Sequence, residues 1–282
     1  MTLALVVGAA VWWFVLPSGV DEPALSGTVS EHEATIDGIE REWTTYVPAG
    51  LGTDVPVVFV LHGSFQDGAA MRRTAAYRFD ELADEHGFAV VYPDGIDANW
   101  NECRAGGEWT AKTENVDDVG FLAETLDRLE ADVAVDRSRV FATGFSSGGQ
   151  MSLRLALEEP DFVSGVAIVA ANVPTQENLA CRDAGGDVPA LFVEGTDDPM
   201  NPYEGGEVAL YGFGSRGDVL SAQESVDWYS ARTGSPRAEL RTIEGGGHQY
   251  PAPGYRGPRI LGPSVEVDVP GDIVEFFGLA GG

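Results

Sequence analysis

Continuous apolar runs separated by helix-length segments place the strongest constraint on how this chain can fold. Val55–Leu61 is wholly apolar and rich in β-branched residues, which predicts a strand buried on both faces, as in parallel sheets. Further strands are predicted at Phe88–Tyr92, Arg139–Thr143, Val163–Val169, Val188–Val193 and Ala238–Ile243. Helical spacing is found at Ala70–His86, Val116–Ala131, Ser147–Glu158, Asp218–Ala231 and Asp272–Leu279. We therefore predict an α/β fold, with a mostly parallel central sheet and helices on both of its faces.

An antiparallel hairpin is predicted to precede these alternating elements. Its strands, Glu33–Ile36 and Glu40–Val47, flank Asp37-Gly38, a dipeptide that favours tight hairpin turns. No internal repeat or low-complexity tract interrupts the remainder of the chain. Residues 27–282 are therefore predicted to form one domain, which follows a leader and linker at residues 1–26.

The leader is predicted from one apolar run. Leu3–Leu16 is almost wholly apolar and is followed by Pro17, Ser18 and Gly19. This length is typical of a signal-peptide core and shorter than the roughly 20 residues that a spanning helix needs. No Lys or Arg precedes the run and no A-x-A cleavage pattern follows it, so an uncleaved anchor and a buried helix are the alternatives. We predict a protein that is secreted, or anchored through this segment on the extracytoplasmic face of a membrane.

The charge balance of the chain is strongly acidic. There are 45 Asp and Glu against 17 Lys and Arg, a formal net charge of −28. Such a surface repels a phosphate backbone, which argues against nucleic-acid partners. Hydrophobic residues make up 44% of the chain, which excludes intrinsic disorder. We interpret the acidity as a solvated surface, and we expect a monomer.

A serine in Gly144-Phe145-Ser146-Ser147-Gly148 lies between a predicted strand and a predicted helix. In that context G-x-S-x-G is typical of a nucleophile on a sharp strand-to-helix turn, with glycines where side chains would not fit. The first N–H groups of the helix and its positive end then face the reaction centre. In a chain with 36 glycines the pattern also arises by chance, and it would then mark a capped helix start. The flanking strand and helix favour Ser146 as the nucleophile.

Chain order selects the histidine that would activate this serine. In proteins with such a nucleophile, the acid and then the histidine follow the serine, and of the four histidines only His248 follows Ser146. Asp197 and Asp198 both come directly after another predicted strand, at the same edge of the sheet. A carboxylate there would fix the histidine tautomer and stabilise the imidazolium. Asp198 is the favoured acid, and Asp197 is the alternative.

The segment Leu61-His62-Gly63-Ser64 ends the strand predicted at Val55–Leu61. A backbone N–H at such a strand end and the N–H of the residue after the nucleophile are the usual donors to a tetrahedral oxyanion. We therefore predict that Ser64 and Ser147 supply these two N–H groups. His62 is expected to pack or hydrogen-bond beneath the loop. An ordinary strand-ending turn is the alternative interpretation.

Taken together, these motifs resemble the α/β-hydrolase group of polyhydroxybutyrate depolymerases, feruloyl esterases and acetyl-xylan esterases. The resemblance spans about residues 36–277, and Asp117-Asp118-Val119-Gly120-Phe121 is its most specific part. Other motifs that carry it are Leu61-His62-Gly63, Tyr92-Pro93-Asp94-Gly95, Gly195-Thr196-Asp197-Asp198 and Gly246-Gly247-His248. It implies the α/β-hydrolase fold and export from the cytoplasm.

The resemblance also implies a chemistry. It suggests a serine carboxylesterase that forms an acyl-enzyme, with Ser146 as nucleophile, Asp198 as acid and His248 as base. Polyhydroxyalkanoates, feruloyl esters and acetyl polysaccharides are the implied substrate classes, with no metal or organic cofactor. Cysteines near these positions often pair in this group, so a Cys103–Cys181 disulfide is implied. Aromatic candidates for the substrate groove are Phe65, Trp100, Tyr203 and Tyr250.

Other functions are compatible with the same residues. A serine peptidase or an acyltransferase could use this triad, because triad chemistry does not select the acceptor. A non-catalytic cell-surface binding module is disfavoured because all three triad residues are present. Gly212-Phe213-Gly214-Ser215-Arg216-Gly217 matches G-x-G-x-x-G without a preceding apolar strand. We therefore predict a loop there, with Asp218 capping the next helix, and no nucleotide site.

Overall fold

The computed structural model describes residues 20–210, 214–235 and 237–281, so most of the predicted leader lies outside the described residues. The strands are β1 (Thr28–Ile36), β2 (Ile39–Val47), β3 (Val55–Leu61), β4 (Ala89–Pro93), β5 (Val135–Phe145), β6 (Gly165–Val169), β7 (Ala190–Gly195), β8 (Gly206–Leu210), β9 (Gly214–Val219) and β10 (Ala238–Ile243). The helices are α1 (Gly68–Thr74), α2 (Arg78–His86), α3 (Thr110–Thr113), α4 (Asp118–Leu129), α5 (Ser147–Glu158), α6 (Ala222–Thr233) and α7 (Val269–Phe276). Short 3₁₀ turns lie at Ile96–Ala98 and Arg259–Leu261.

Eight of these strands form the central sheet, in the order β1-β2-β4-β3-β5-β6-β7-β10. The predicted hairpin of β1 and β2 is present, and β2 runs antiparallel to β4. Every other pair of neighbours in the sheet is parallel. The mostly parallel α/β architecture with an N-terminal antiparallel hairpin is therefore confirmed.

The core lies on both faces of this sheet, as the continuous apolar runs predict. All seven residues of β3 are buried. Its side chains alternate between two apolar layers, with Phe59 in one and Val58 in the other. Helices α4, α5 and α6 contribute to the first layer, and α1, α2 and α7 contribute to the second. Because both faces are covered, the edge at the carboxyl ends of the parallel strands is the place for a site.

Three details of the sequence prediction are wrong. The single helix predicted at Ala70–His86 is split into α1 and α2, because Ala76 and Tyr77 adopt left-handed backbone angles with φ of 55° and 59°. The helix predicted to begin at Asp218 begins at Ala222, where Ser221 and Glu224 form a capping box. Asp218 itself belongs to the hairpin of β8 and β9, which replaces the predicted loop from Gly214 onward.

A disulfide joins Cys103 to Cys181, as the family resemblance implies. It fastens the loop before α3 to the segment that leads into β7. Backbone hydrogen bonds reinforce the contact, from Ala180 N to the Cys103 oxygen (2.7 Å) and from Ala105 N to the Asn178 oxygen (2.6 Å). Within the described ranges, no helix combines the length and the apolarity that crossing a bilayer requires.

Candidate active site

Ser146 occupies a strained turn between β5 and α5. Its backbone angles are φ 53° and ψ −111°, a region that L-residues rarely adopt. The turn is so tight that a Cβ on Gly144 would lie 2.1 Å from the Gly148 oxygen. A Cβ on Gly148 would lie 2.3 Å from the Leu61 oxygen. Close backbone approach therefore explains both glycines of the motif and projects the serine side chain from the sheet edge.

His248 joins the serine to one of the two candidate acids. Its Nε2 lies 3.0 Å from Ser146 Oγ, and its Nδ1 lies 2.7 Å from Asp198 Oδ2. The other carboxylate oxygen of Asp198 accepts the N–H groups of Met200 and Asn201, each at 2.8 Å. Because a carboxylate only accepts, Nδ1 is assigned the proton, and Nε2 is left to accept from the serine. Asp197 is exposed, so the geometry selects Asp198.

The loop that carries His248 is itself held by backbone contacts. His248 N donates to the Leu261 oxygen (2.6 Å), and Gly247 N donates to the Pro263 oxygen (2.8 Å). The imidazole ring packs against the ring of Phe145, with the centroids 5.0 Å apart. The histidine thus has a fixed orientation toward the nucleophile, although it lies in a glycine-rich loop.

His62 lies beneath the predicted oxyanion loop, as expected. Gly95 N donates to His62 Nε2 (2.8 Å), so Nδ1 carries the proton that is donated to the Gly63 oxygen (2.7 Å). Burial lowers the pKa of His62 to about 4, which keeps the ring neutral at physiological pH. The Gly63 carbonyl and the Ser64 N–H belong to one peptide plane. His62 therefore orients that N–H.

The two predicted N–H donors come from two separate parts of the chain. Ser64 follows β3, and Ser147 is the first residue of α5, whose positive end faces the serine. Within the described residues, neither N–H donates a hydrogen bond to the protein. Both N–H groups are therefore free to donate to a bound ligand.

An apolar cavity of about 370 Å³ opens beside Ser146 and His248. Two of the four aromatic candidates line it, Phe65 at the exposed mouth and Tyr250 in the buried wall. Its other walls are mostly apolar and come from Phe145, Met200, Tyr255, Pro258, Ile260 and Leu261. We refer to this space as the apolar cavity.

The structure does not bring Trp100 or Tyr203 to the apolar cavity. Trp100 is fully buried, and its indole N–H donates to the His62 oxygen at 2.9 Å. The Tyr203 hydroxyl is hydrogen-bonded to Thr242 Oγ1 at 2.8 Å. Both aromatic side chains therefore belong to the framework around the site, and neither lines the apolar cavity.

Sequence reasoning missed Glu194, a buried carboxyl group beside the triad. Its Oε1 accepts from Ala171 N (2.9 Å), and its Oε2 accepts from the side chain of Asn201 (3.0 Å). Burial raises the pKa of Glu194 well above its ordinary value, and the nearby charge of Asp198 adds to the effect. The sequence places Glu194 at a strand end but carries no sign that its side chain turns inward.

Arg216 was also missed, because it lies in the segment predicted to be a loop without function. Its guanidinium donates to the Ser64 hydroxyl at 2.7 Å. Among the described residues, no three His, Cys, Asp or Glu side chains are placed to hold a metal ion. The groups assembled around Ser146 are those needed for acyl transfer.

The comparison with known families agrees with this geometry. A family model with the description "Putative esterase" matches residues 38–250. The chain belongs to this esterase family. The match begins in the N-terminal hairpin and ends two residues after His248, so it includes every residue of the candidate triad.

Individual relatives of the esterase carry related names. NocK of Nocardia uniformis subsp. tsuyamanensis, described in the same words as the family, is 33% identical over 187 residues, covering 65% of this chain and 52% of NocK. Poly(3-hydroxyalkanoate) depolymerase C of Paucimonas lemoignei is 26% identical over 277 residues, covering 84% of this chain and 66% of the relative. The esterase thus spans between about half and two thirds of the length of these relatives.

Solved structures support the fold. The ferulic acid esterase AmCE1/Fae1A of Anaeromyces mucronatus superposes with a TM-score of 0.55 at 16% identity, covering 82% of this chain and 87% of that chain. FphF, a serine hydrolase of Staphylococcus aureus, gives a TM-score of 0.53 at 17% identity, covering 79% and 92%. The esterase has the α/β-hydrolase fold.

Proposed function

We propose that this esterase is a serine carboxylesterase that hydrolyses ester bonds through an acyl-enzyme formed on Ser146. The continuous line from Asp198 through His248 to the Ser146 hydroxyl, with contacts of 2.7 Å and 3.0 Å, carries the proposal. Both distances are within the range for proton transfer between a nucleophile and its base. The line ends at a cavity large enough for a small ligand.

In the proposed mechanism, His248 Nε2 takes the serine proton as Ser146 Oγ attacks the ester carbonyl. The N–H groups of Ser64 and Ser147 stabilise the oxyanion, and each such donor contributes about 3 kcal/mol to lowering the barrier. His248 then protonates the departing alcohol, while Asp198 stabilises the imidazolium. Water repeats the sequence on the acyl-enzyme, which releases the acid and restores the serine.

The apolar cavity supports a short acyl chain or a single aryl ring as the bound group. Its volume of about 370 Å³ lies at the small end of the range for ligand sites. The name of the depolymerase from Paucimonas lemoignei favours polyhydroxyalkanoate esters, and the resemblance seen in the sequence adds feruloyl and acetyl-polysaccharide esters. A peptidase or acyltransferase on the same triad is the second candidate.

We further propose that residues 27–282 form the catalytic domain and work outside the cytoplasm. The Cys103–Cys181 disulfide supports this location, because such bonds persist in oxidising compartments. The apolar run at Leu3–Leu16 supports export or membrane anchoring.

Release of p-nitrophenol from p-nitrophenyl butyrate tests the proposal, with Ser146→Ala as the variant. We expect kcat to fall by roughly 10⁴-fold or more in this variant. Ser147→Ala is the matched control, because it keeps the backbone N–H and removes a hydroxyl that lacks a hydrogen-bond partner among the described residues. Retention of activity by folded Ser146→Ala would contradict the assignment. A folded wild-type protein that is inactive on every ester and amide tested would favour the binding module.

A further inference from the structure

A second cavity meets Ser146, and two arginines line it. The other residues that line it are His248, Ala170, Met200, Asn201 and Val208. We term it the arginine cavity, after Arg104 and Arg216. Its volume of about 10 Å³ accepts one water-sized atom. Because it shares Ser146, Met200 and His248 with the apolar cavity, the two spaces meet at the nucleophile.

Arg216 is a buried cation whose hydrogen-bond partners are neutral. It is 6% exposed, and it donates to Ser64 Oγ at 2.7 Å and to Asn99 Oδ1 at 3.3 Å. Its guanidinium lies over the ring of Trp109, 4.4 Å from the centroid. Burial, and then the neighbouring charge of Arg104, lower the pKa of Arg216 to about 10, so it stays charged at neutral pH. A buried charge without an acidic hydrogen-bond partner is costly, and Glu102, whose nearby charge favours the charged form of Arg216, is itself paired with Arg104.

Arg104 adds a second buried cation with an unused donor. It is 3% exposed, and its Nε donates to Glu102 Oε1 at 2.9 Å. The other Glu102 carboxylate oxygen accepts the Arg104 backbone N–H at 2.7 Å. Arg104 Nη2 is buried and has no hydrogen-bond partner among the described residues. Buried polar groups are nearly always paired, so this nitrogen points to a missing acceptor.

The surroundings of the two arginines carry a net positive charge. Lys112 is the only lysine in the chain, and its ammonium also lies over the Trp109 ring, 4.9 Å from the centroid. The charge of Glu102 acts on both Arg216 and Lys112, but its carboxylate is already engaged by Arg104. A local excess of positive charge in a chain of net charge −28 suits an anionic ligand.

Asn178 holds the two arginine-bearing segments together. Its side-chain oxygen accepts from Gly106 N (2.9 Å), and its side-chain nitrogen donates to the Arg216 oxygen (3.0 Å). The Cys103–Cys181 disulfide fastens the same loop from its other end. The arginine cavity is therefore a fixed part of the fold.

We propose that the arginine cavity binds a free carboxylate of the substrate, so that the natural ester joins an apolar group to a short carboxylate-bearing group. This inference rests on the proposed function. One carboxylate oxygen fills the volume between the arginines, and it supplies the acceptor for Arg104 Nη2 and the counter-ion for Arg216. Neutral feruloyl and acetyl-sugar esters lack such a group, whereas the terminal ester of a hydroxy-acid oligomer has it.

Two matched ester pairs test the inference. In one pair the carboxylate belongs to the alcohol part of the ester, and in the other it belongs to the acyl part. Butyryloxyacetate is compared with butyryloxyacetamide, and monobutyl succinate is compared with butyl succinamate, by product release. In at least one pair we expect kcat/KM for the carboxylate to exceed that for the amide by roughly 10- to 100-fold, the effect of one hydrogen bond to a charged group. Arg216→Gln should bring this ratio close to one. Arg128→Gln, which removes an exposed arginine of α4, should leave the ratio unchanged.

The ratio of kcat/KM between the carboxylate and the amide distinguishes two roles of Arg216, binding a carboxylate and holding Ser64. Loss of the Arg216–Ser64 contact would disturb the oxyanion loop and lower the turnover of the carboxylate and the amide esters equally. Such a loss therefore leaves the ratio of their kcat/KM values unchanged. Equal kcat/KM within both pairs for the wild-type protein overturns the inference, whether or not Arg216→Gln folds. A ratio that folded Arg216→Gln leaves unchanged overturns it as well.

If none of the four esters were hydrolysed, the result would count against the proposed function. The inference would then be tested by a binding measurement. Butyryloxyacetate and its amide are then titrated calorimetrically into Ser146→Ala, with and without Arg216→Gln. Tighter binding of the carboxylate that depends on Arg216 supports the inference. Equal binding of the two compounds, or no binding of either, overturns it.

Discussion

Replacing Ser146 by glycine should give a more stable protein than replacing it by alanine. Both variants lose the hydroxyl and its hydrogen bond to His248, so they differ only in the Cβ. At φ 53° and ψ −111° a Cβ is strained, whereas glycine adopts such angles readily. Backbone hydrogen bonds from Ser146 N to the Val169 oxygen (2.8 Å) and from Gln150 N to the Ser146 oxygen (3.0 Å) hold the turn. The alanine variant therefore cannot relax without breaking them.

The expected difference follows from two opposing contributions. Strain of this kind costs about 1–3 kcal/mol, and glycine removes it. Glycine also raises the entropy of the unfolded chain, which lowers stability by about 0.5–1 kcal/mol relative to alanine. The free energy of unfolding of Ser146→Gly should then exceed that of Ser146→Ala by up to about 2.5 kcal/mol, and by about 1 kcal/mol at the middle of both ranges.

Urea unfolding of the two oxidised, inactive variants measures this difference from their midpoints and a common slope. Ser147→Gly against Ser147→Ala is the control, because residue 147 is the first residue of helix α5. There glycine should be the less stable replacement by about 0.5–1 kcal/mol. If Ser146→Gly proves no more stable than Ser146→Ala, the nucleophile turn stores no strain and our explanation of its geometry is wrong.

Three further predictions concern the acid, the buried histidine and the net charge. Asp198→Asn should lower kcat for p-nitrophenyl butyrate by roughly 10⁴-fold, whereas Asp197→Asn should change it little; equal losses would contradict the selection of Asp198. The pKa of His62 is lowered to about 4 by burial, so the unfolded chain binds a proton there between about pH 6.5 and 4 that the folded protein does not. In urea unfolding, the stability advantage of wild type over His62→Gln should therefore shrink by about 3 kcal/mol as pH falls through this window; an advantage independent of pH would refute this. At a net charge of −28, self-repulsion should be screened by salt and the Tm should rise from low salt to 1 M NaCl, and a flat or falling Tm would be the contrary result.

Local sequence signals were sufficient for most of the fold. Val55–Leu61, Ser147–Glu158 and Ala238–Ile243 have the bounds that their patterns predict, because hydrophobic periodicity and caps act over a few residues. The break between α1 and α2 could not be predicted, since neither Ala76 nor Tyr77 favours a left-handed backbone. Tertiary contacts impose that conformation.

The candidate site was predictable to the extent that chain order and motif position determine it. Ser146 and His248 follow from the strand-to-helix motif and from order, and the structure places them together. The choice between Asp197 and Asp198 depends on the direction of one turn, which two adjacent carboxylates do not reveal. Arg216 reaches Ser64 across 152 residues of sequence, a distance over which a single chain gives no signal.

The Cys103–Cys181 disulfide fastens the proposed carboxylate site and lies outside the triad. The triad lies on the ends of β5, β7 and the loop after β10, none of which contains either cysteine. Arg104 is adjacent to Cys103, and the disulfide fastens its loop against the mutual repulsion of the neighbouring cations. Thiol reduction would thus loosen the grip on an anionic substituent while the machinery for bond cleavage stays in place. An oxidising environment would act as a condition for selectivity, separate from the condition for turnover.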